Sequence, residues 1–228
     1  KPFDLAVDRL PLKLERKLDA LVNLCRRNGV ALFLSIHDWM HVELSNDELQ
    51  AQRTFARLIA ERYRNVPGFM IDIQNEPAVN LPRSDDATAH EDVTMLWNDW
   101  LRARYGSDAA LREAWTLSPP EVDLGRIPYR AGRDAWEDVR TLDADEFRNV
   151  LVRRWARANY EGAKEADPAV PVTVGFLQEY YHLNKLACVG EVDFANAHSY
   201  STIDVLRADL KLFDRRFEGK SISLGEFG

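Results

Sequence analysis

Cysteine is scarce in this sequence and forms no recognisable motif. Only two are present among 228 residues, Cys25 within an apolar helical pattern and Cys188 ahead of a strand pattern. Neither belongs to a CxxC pair, so the chain offers no disulfide framework and no cluster of thiolate metal ligands. We therefore expect both to be packed free thiols.

Positive charge in excess and long apolar runs are also missing. The formal net charge is -7, and Lys and Arg are scattered among Asp and Glu instead of forming the basic stripe that neutralises phosphates. No apolar run reaches the roughly 18 residues of a membrane helix. The first residues, KPFDLAVDRL, match neither a signal peptide nor a transit peptide. We expect no nucleic-acid partner and no membrane partner.

Several catalytic motifs are absent as well. The sequence contains no GxGxxG, GxxxxGK[ST] or GxSxG, which removes local support for dinucleotide, P-loop and serine-elbow chemistry. The stretch HDWMH spaces His37 and His41 four apart, but it follows a strand pattern and does not match HExxH. We predict no cofactor and no metal, with a metal-dependent hydrolase kept as an alternative.

Apolar residues make up 46% of the chain and are spread evenly, which favours one substantial core. Helical periodicity alternates with short, nearly continuous apolar runs, the pattern of an α/β domain with a parallel sheet. The predicted strands are Val30 to Ile36, Phe69 to Ile73, Pro171 to Phe176, Val192 to His198 and Ser221 to Phe227.

The ends of these strands distinguish two α/β architectures. Polar or aromatic residues follow nearly every strand: His37, Asp38 and Trp39; Asn75 and Glu76; Gln178, Glu179 and Tyr180; His198 and Tyr200; and Glu226. An open doubly wound sheet would concentrate such residues at one switch point, whereas a barrel aims every strand end at one mouth. The sequence therefore predicts a (β/α)8 TIM barrel.

Five strands are too few to close that barrel. We expect residues 1–228 to form a partial catalytic barrel containing about the third to seventh strands, with about two strands preceding it and one following. Residues 78–142 are too long for an ordinary loop and predict a helical insertion or lid. Its tryptophans recur at helical spacing and are expected to pack, while Tyr129 and Trp136 in its turn-rich part are candidate substrate contacts.

The stretch FMIDIQNEP ends an apolar strand on a carboxylate, Glu76, and then on Pro77. Another carboxylate, Glu226, ends the last predicted strand. Glycosidic bond hydrolysis needs one carboxylic acid to protonate the departing oxygen and a second carboxylate to attack or activate water. Pro77 is expected to hold Glu76 in an extended conformation.

IQNEP, HSY and LGEFG occur in this order at strand ends, and together they resemble the retaining glycoside hydrolases of clan A, particularly the cellulase and mannanase type of family 5. The stretch WNDWLRARYGSDAALREAW within the insertion resembles a segment of family 42 β-galactosidases. The resemblance implies hydrolysis of β-linked oligo- or polysaccharide by double displacement, and it is compatible with a secreted or periplasmic protein.

The resemblance also implies site residues. Glu76 would be the acid/base and Glu226 the nucleophile, about 5 to 5.5 Å apart. The expected sugar contacts are His37, Trp39, Asn75, His198 and Tyr200, with Tyr180 as a further flat face and Glu179 as a reserve acid. A non-catalytic carbohydrate-binding barrel remains an alternative. The sugar, the oligomeric state and the compartment stay open.

Overall fold

The computed structural model describes residues 9–38, 44–77, 91–116, 123–129, 139–177 and 183–228. Helices and strands alternate along these ranges, which confirms the predicted α/β class. The elements in chain order are α1 (Leu12–Arg27), β1 (Leu32–Ser35), α2 (Asn46–Arg62), β2 (Phe69–Asp72), α3 (Glu91–Tyr105), α4 (Asp108–Ala114), α5 (Val139–Ala166), β3 (Val172–Thr173), β4 (Gly175–Leu177), a 3₁₀ helix (Leu183–Glu191), β5 (Ala195–Ser199), α6 (Ile203–Arg216) and β6 (Ile222–Phe227).

Neighbouring strands pair in parallel, in the order β1-β2-β3 and β4-β5-β6. The strand predicted at 171–176 is divided, because only Val174 separates β3 from β4. Hydrogen bonds from β2 and its extension nevertheless cross this break, to Thr173 O at 2.8 Å and to Gly175 O at 3.1 Å. Spatial order follows chain order throughout the described strands, as in a barrel wall and unlike a doubly wound sheet.

Two helix ends carry residues that are typical of those positions. The chain leaves α1 through Gly29, whose φ of 65° is costly for residues that carry a Cβ. The Ser45 side chain accepts a hydrogen bond from Glu48 N at 3.3 Å and caps α2. These ends fix where the chain turns from helix into strand and from loop into helix.

Helices α2 and α5 approach each other closely at Gly162. A Cβ built on Gly162 would stand 2.2 Å from the Arg53 carbonyl oxygen, so α5 can pack this tightly only with glycine there. Asn159, one turn earlier, donates a hydrogen bond to Gln52 Oε1 at 3.0 Å and joins the same two helices. This contact holds the two helices together.

We expect Gly162→Ala to destabilise the protein, because the new methyl group meets backbone that cannot rotate aside. The free energy of unfolding should fall by about 1 to 3 kcal/mol, the usual cost of overpacking. Urea denaturation followed by circular dichroism measures it. Gly190→Ala is the control, since a Cβ on Gly190 meets nothing within 4 Å. Equal stability of the two variants would contradict this account of the crossing.

Aromatic side chains pack together where α3, α4 and the segment 123–129 meet α5. The Trp97 ring stacks on Trp100 and Trp115 and packs against Tyr129 and Phe147, with centroids 5.1 to 6.4 Å apart. The expectation that the tryptophans pack is therefore confirmed for these three. Tyr129, suggested above as a sugar contact, is fully buried in this cluster, where no sugar can reach it.

Asn98 ties the segment 123–129 to α3. Its side-chain amide donates to Ile127 O at 2.8 Å and accepts from Gly125 N at 3.0 Å and from Ile127 N at 2.9 Å. The buried Asp143 carboxylate at the start of α5 accepts from Tyr105 and Trp115. Helices α3 and α4 are thus joined to α5 through hydrogen bonds as well as through packing.

Both cysteines are free thiols, with Cys188 buried and Cys25 partly buried, as predicted. Among the described helices, none combines the length and the apolar composition needed to cross a membrane.

Candidate active site

The carboxyl ends of the strands bring Glu76, His198 and Glu226 together. Glu76 follows β2, His198 lies in β5, and Glu226 lies in β6. The register between β5 and β6 shifts by one residue, so that Ala197 pairs with Leu224 but His198 pairs with Glu226. The extra residue, Gly225, is a β-bulge that re-aims the strand and sets Glu226 beside His198.

The three side chains form one compact cluster. His198 Nδ1 lies 2.9 Å from Glu76 Oε1 and 3.7 Å from Glu226 Oε1. One oxygen of each carboxylate and the imidazole nitrogen all lie within 4.8 Å of one another. The imidazole is buried, whereas the carboxylates are 26% and 38% exposed, so the acids face solvent and the imidazole supports them. The structure therefore brings together Glu76 and Glu226, which lie far apart in the sequence, whereas their catalytic roles stay a prediction.

Tyr200 follows β5 and contacts the second oxygen of Glu226. Its hydroxyl donates a hydrogen bond to Glu226 Oε2. That carboxylate raises the Tyr200 pKa to about 12, with desolvation and the charge of Glu76 acting in the same direction. The phenol therefore remains a donor at neutral pH.

The backbone of Glu76 differs from its prediction. Its φ is 46°, in the left-handed region and not in the extended region that a following proline favours. Glu76 N donates to Gly175 O at 3.1 Å, and the carboxylate is held by His198. These tertiary hydrogen bonds outweigh the local preference for an extended backbone. Holding a non-glycine residue in the left-handed region costs of order 1 to 3 kcal/mol. Residues in such conformations concentrate at functional sites.

Asn75 enters the same cluster beside Gly175. A Cβ on Gly175 would lie 2.9 Å from His198 Cε1 and 3.2 Å from Asn75 Oδ1. The missing side chain of Gly175 thus leaves room for both polar groups. Asn75 is partly exposed.

Two polar residues behind the cluster were not predicted from the sequence. Asp72, buried in β2, accepts hydrogen bonds from Ser35 Oγ at 2.5 Å and from Gly175 N at 2.9 Å. The buried Asn196 amide lies 3.4 Å from His198 Nε2. An acid within the apolar run FMID was the available indication for Asp72, because a buried charge needs partners.

His37 does not join the cluster, which corrects its predicted role as a sugar contact. Its ring is buried, its Nε2 lies 2.7 Å from Asn159 Oδ1 on α5, and Phe55 of α2 packs beside it. Burial lowers the His37 pKa to about 4, with the Asn159 contact opposing the shift. The side chain is therefore a neutral link between the sheet and its helices.

This assignment predicts how stability depends on pH. His37 is uncharged in the folded protein down to about pH 4 but gains a proton near pH 6.5 when unfolded. The contribution of His37 to the free energy of unfolding is complete above pH 6.5. It is lost as the pH falls toward 4, by at most about 3 kcal/mol. Urea unfolding at several pH values should show this slope, and His37→Gln should flatten it. An unchanged slope in His37→Gln would contradict the assignment.

Four predicted site residues, Trp39, Trp136, Glu179 and Tyr180, lie outside the described residues, as does His41. The cluster of Glu76, His198 and Glu226 also contains the donor types that bind a divalent cation. Its geometry is thus open to both carboxylate chemistry and metal binding, and these must be separated by experiment.

Parallel strands with two acids close together at their carboxyl ends are the arrangement that barrel glycoside hydrolases use. The family profile described as β-galactosidase matches residues 40–219. The chain belongs to glycoside hydrolase family 42. This corrects the predicted likeness to family 5 and agrees with the resemblance of the insertion to family 42.

Individual relatives are consistent with the family. A β-galactosidase of Thermus thermophilus is 29% identical over 165 residues, which are 65% of this chain and 23% of that protein. The cold-adapted β-galactosidase of Rahnella sp. R3 superimposes on 92% of this chain and 36% of its own, with a TM-score of 0.73 and 20% identity. An exo-β-agarase covers 90% of this chain and 31% of its own, with a TM-score of 0.63 and 20% identity. The structural likenesses show the TIM-barrel fold, and the chain spans less than a quarter of the length of the curated relatives it matches.

Proposed function

We propose that Glu76 and Glu226 are the acid/base and the nucleophile of a retaining β-glycoside hydrolase that acts by double displacement. The observation that carries the proposal is their proximity, with one oxygen of each carboxylate within 4.8 Å of the other. Retaining enzymes hold their two carboxyl groups about 5 to 5.5 Å apart, whereas inverting enzymes leave about 6.5 to 9.5 Å for a water molecule. The distance therefore supports direct attack by a carboxylate on the sugar.

In the first step, a Glu226 oxygen attacks the anomeric carbon while Glu76 gives its proton to the departing glycosidic oxygen. The bond from the anomeric carbon to that oxygen breaks, and an ester between the sugar and Glu226 forms. In the second step, Glu76 takes a proton from water, whose oxygen attacks the anomeric carbon and releases Glu226. Two displacements at one carbon return the original anomeric configuration.

The surrounding side chains complete these roles. Because Tyr200 donates to Glu226 Oε2, Oε1 is left to attack. With a proton on Nδ1, His198 donates to Glu76 Oε1 and fixes the direction of the acid. Asn75 would hydrogen-bond the 2-hydroxyl of the sugar, a contact that strengthens in the transition state.

The rest of the proposal concerns the barrel and the substrate. The five strand positions, with β3 and β4 taken together, would be the third to seventh of an eight-stranded barrel, and residues 78–142 an insertion beside its mouth. The names of the family and of its relatives support a β-galactoside as the substrate. A β-linked polysaccharide is the second candidate, supported by the agarase among the structural neighbours.

The test uses the full-length protein with aryl β-galactoside, β-glucoside and β-mannoside and with matching polymers. Proton NMR of the first-formed sugar should show the β anomer before mutarotation, and β-galactoside should be the best aryl substrate. An initial α anomer would overturn the retaining mechanism. Turnover abolished by EDTA and restored by a divalent cation would instead favour the metal-dependent alternative.

A further inference from the structure

Gly175 is the backbone residue on which the proposed acid/base depends. Its carbonyl accepts from Glu76 N at 3.1 Å, which helps hold Glu76 at its φ of 46°. On its other side, Gly175 N donates to Asp72 Oδ1 at 2.9 Å and shares this proton with Gln74 O at 3.2 Å. A shift of Gly175 would therefore move the backbone of Glu76.

The same glycine also supports the side chain of the acid. His198 lies against its α-carbon, on the face where a Cβ would come 2.9 Å from Cε1. His198 in turn contacts Glu76 Oε1 through Nδ1 at 2.9 Å. Gly175 thus reaches Glu76 by two routes, one through the backbone and one through the imidazole.

Asp72 anchors this glycine from the interior of the sheet. Ser35 on β1 donates to Asp72 Oδ2 at 2.5 Å, so one carboxylate ties β1 and β2 to the start of β4 at the break after Val174. A hydrogen bond from a backbone N–H to a charged carboxylate is shorter and about twice as strong as a neutral one. The buried carboxylate therefore fixes a point where the regular ladder is interrupted.

We propose that Asp72 is a positioning residue for general acid catalysis, acting on Glu76 through the Gly175 backbone and the His198 ring. The inference rests on the proposed function and deepens it, since it assigns to a buried acid outside the cleft a part in orienting the proton donor. Misplacement of a catalytic group by about 1 Å can cost on the order of a hundredfold in rate.

The charge of Asp72 also makes its positioning of Glu76 depend on pH. Burial raises the Asp72 pKa to about 6, against the opposing effects of Ser35, Gly175 N–H and nearby His198, while the charge of Asp38 adds to the rise. The carboxylate is ionised above about pH 6 and holds Gly175 most firmly there. As the pH falls through 6, protonation of Asp72 weakens its hydrogen bond to Gly175 N–H. Part of the loss of activity at acid pH is therefore due to Asp72.

The test compares two aryl β-galactosides that differ in their need for an acid. Dinitrophenolate leaves without protonation, whereas phenolate requires it. For Asp72→Ala in the full-length protein, kcat/KM should fall at least about tenfold with the phenyl substrate and less than about threefold with the dinitrophenyl substrate. Asp72→Asn keeps an acceptor for Gly175 N–H but has no charge. Its loss of kcat/KM should therefore be smaller, and the decrease of activity near pH 6 should be missing from its pH profile.

Asp209→Asn is the matched control, because Asp209 is another buried carboxyl with a raised pKa, on α6. This variant should leave the ratio of the kcat/KM values for the two substrates unchanged. Equal losses on both substrates in the Asp72 variants, or no loss, would overturn the positioning role. If Asp72→Ala does not fold, as judged by circular dichroism, Asp72→Asn decides on the same criteria.

Glu76→Gln separates this inference from the proposed function. One outcome is that Glu76→Gln loses more kcat/KM on the phenyl substrate than on the dinitrophenyl substrate while the Asp72 variants lose equally on both. In that case only the positioning role fails. If Glu76→Gln itself shows no selectivity, the assignment of the acid/base fails, and the positioning role fails with it.

Discussion

Replacing Glu226 with glutamine is expected to reduce kcat by several orders of magnitude on every substrate, activated or not. An amide oxygen cannot form the glycosyl ester, so the first displacement loses its nucleophile. Because the carboxylate is 38% exposed, its neutral isostere should leave the fold intact. Steady-state kinetics with aryl β-galactosides, together with a circular dichroism spectrum of the variant, measures both effects.

Glu218→Gln is the matched control for this variant. Glu218 is exposed and lies between α6 and β6, eight positions before Glu226, so the same chemical change there should leave kcat unchanged. Substantial turnover by Glu226→Gln with a native spectrum would remove Glu226 from the nucleophile role.

Replacing Glu76 with glutamine should give a loss that depends on the leaving group. General acid catalysis contributes about 10² to 10⁴-fold, so kcat/KM for phenyl β-galactoside should fall by about that factor. The dinitrophenyl substrate needs no proton in the first step, but its glycosyl-enzyme should accumulate because water is no longer deprotonated. Stopped-flow absorbance should therefore show a burst of dinitrophenolate followed by slow turnover.

The exposed Glu61 on α2 provides the control, since Glu61→Gln should behave as the unaltered protein. An equal reduction on both substrates without a burst would mean that Glu76 does not transfer protons in this reaction. His198 and Gly175 also hold Glu76, so the variant should keep the fold while losing the chemistry.

Strand positions and helix ends followed from local patterns in the sequence. Apolar runs located the strands to within a few residues, and Gly29 and the Ser45 cap marked helix ends correctly. The break at Val174 was not predicted, and next to it Gly175 N donates to the side chain of Asp72, 103 residues earlier in the chain. Such tertiary hydrogen bonds leave no periodic trace in a single sequence.

The acids and their immediate partners were predictable because parallel strands carry their carboxyl-end residues to one edge. His37 was misassigned for a specific reason. The successive amides of Ile36 and His37 both donate to successive carbonyls of the β2 segment, which a regular strand cannot do because its amides alternate in direction. The chain is irregular there, and His37 turns toward α2 and α5.

Glu76 shows the limit of local backbone rules. The preference imposed by Pro77 predicts an extended residue, yet hydrogen bonds from β4 and β5 hold the left-handed conformation. Three short motifs at strand ends favoured family 5, whereas the profile that matches is that of family 42. The resemblance in the insertion agreed better with the family match because it extended over a longer stretch.

The most direct measurement is covalent trapping with a 2-deoxy-2-fluoro-β-galactosyl fluoride, whose fluorines slow the second displacement more than the first. Mass spectrometry of the full-length protein should show the addition of one fluorosugar, and fragmentation should locate it on Glu226. In Glu76→Gln, the label should attach to the same residue and persist longer. Label on a different residue, or continued turnover of the reagent with inverted product and no label, would contradict the account.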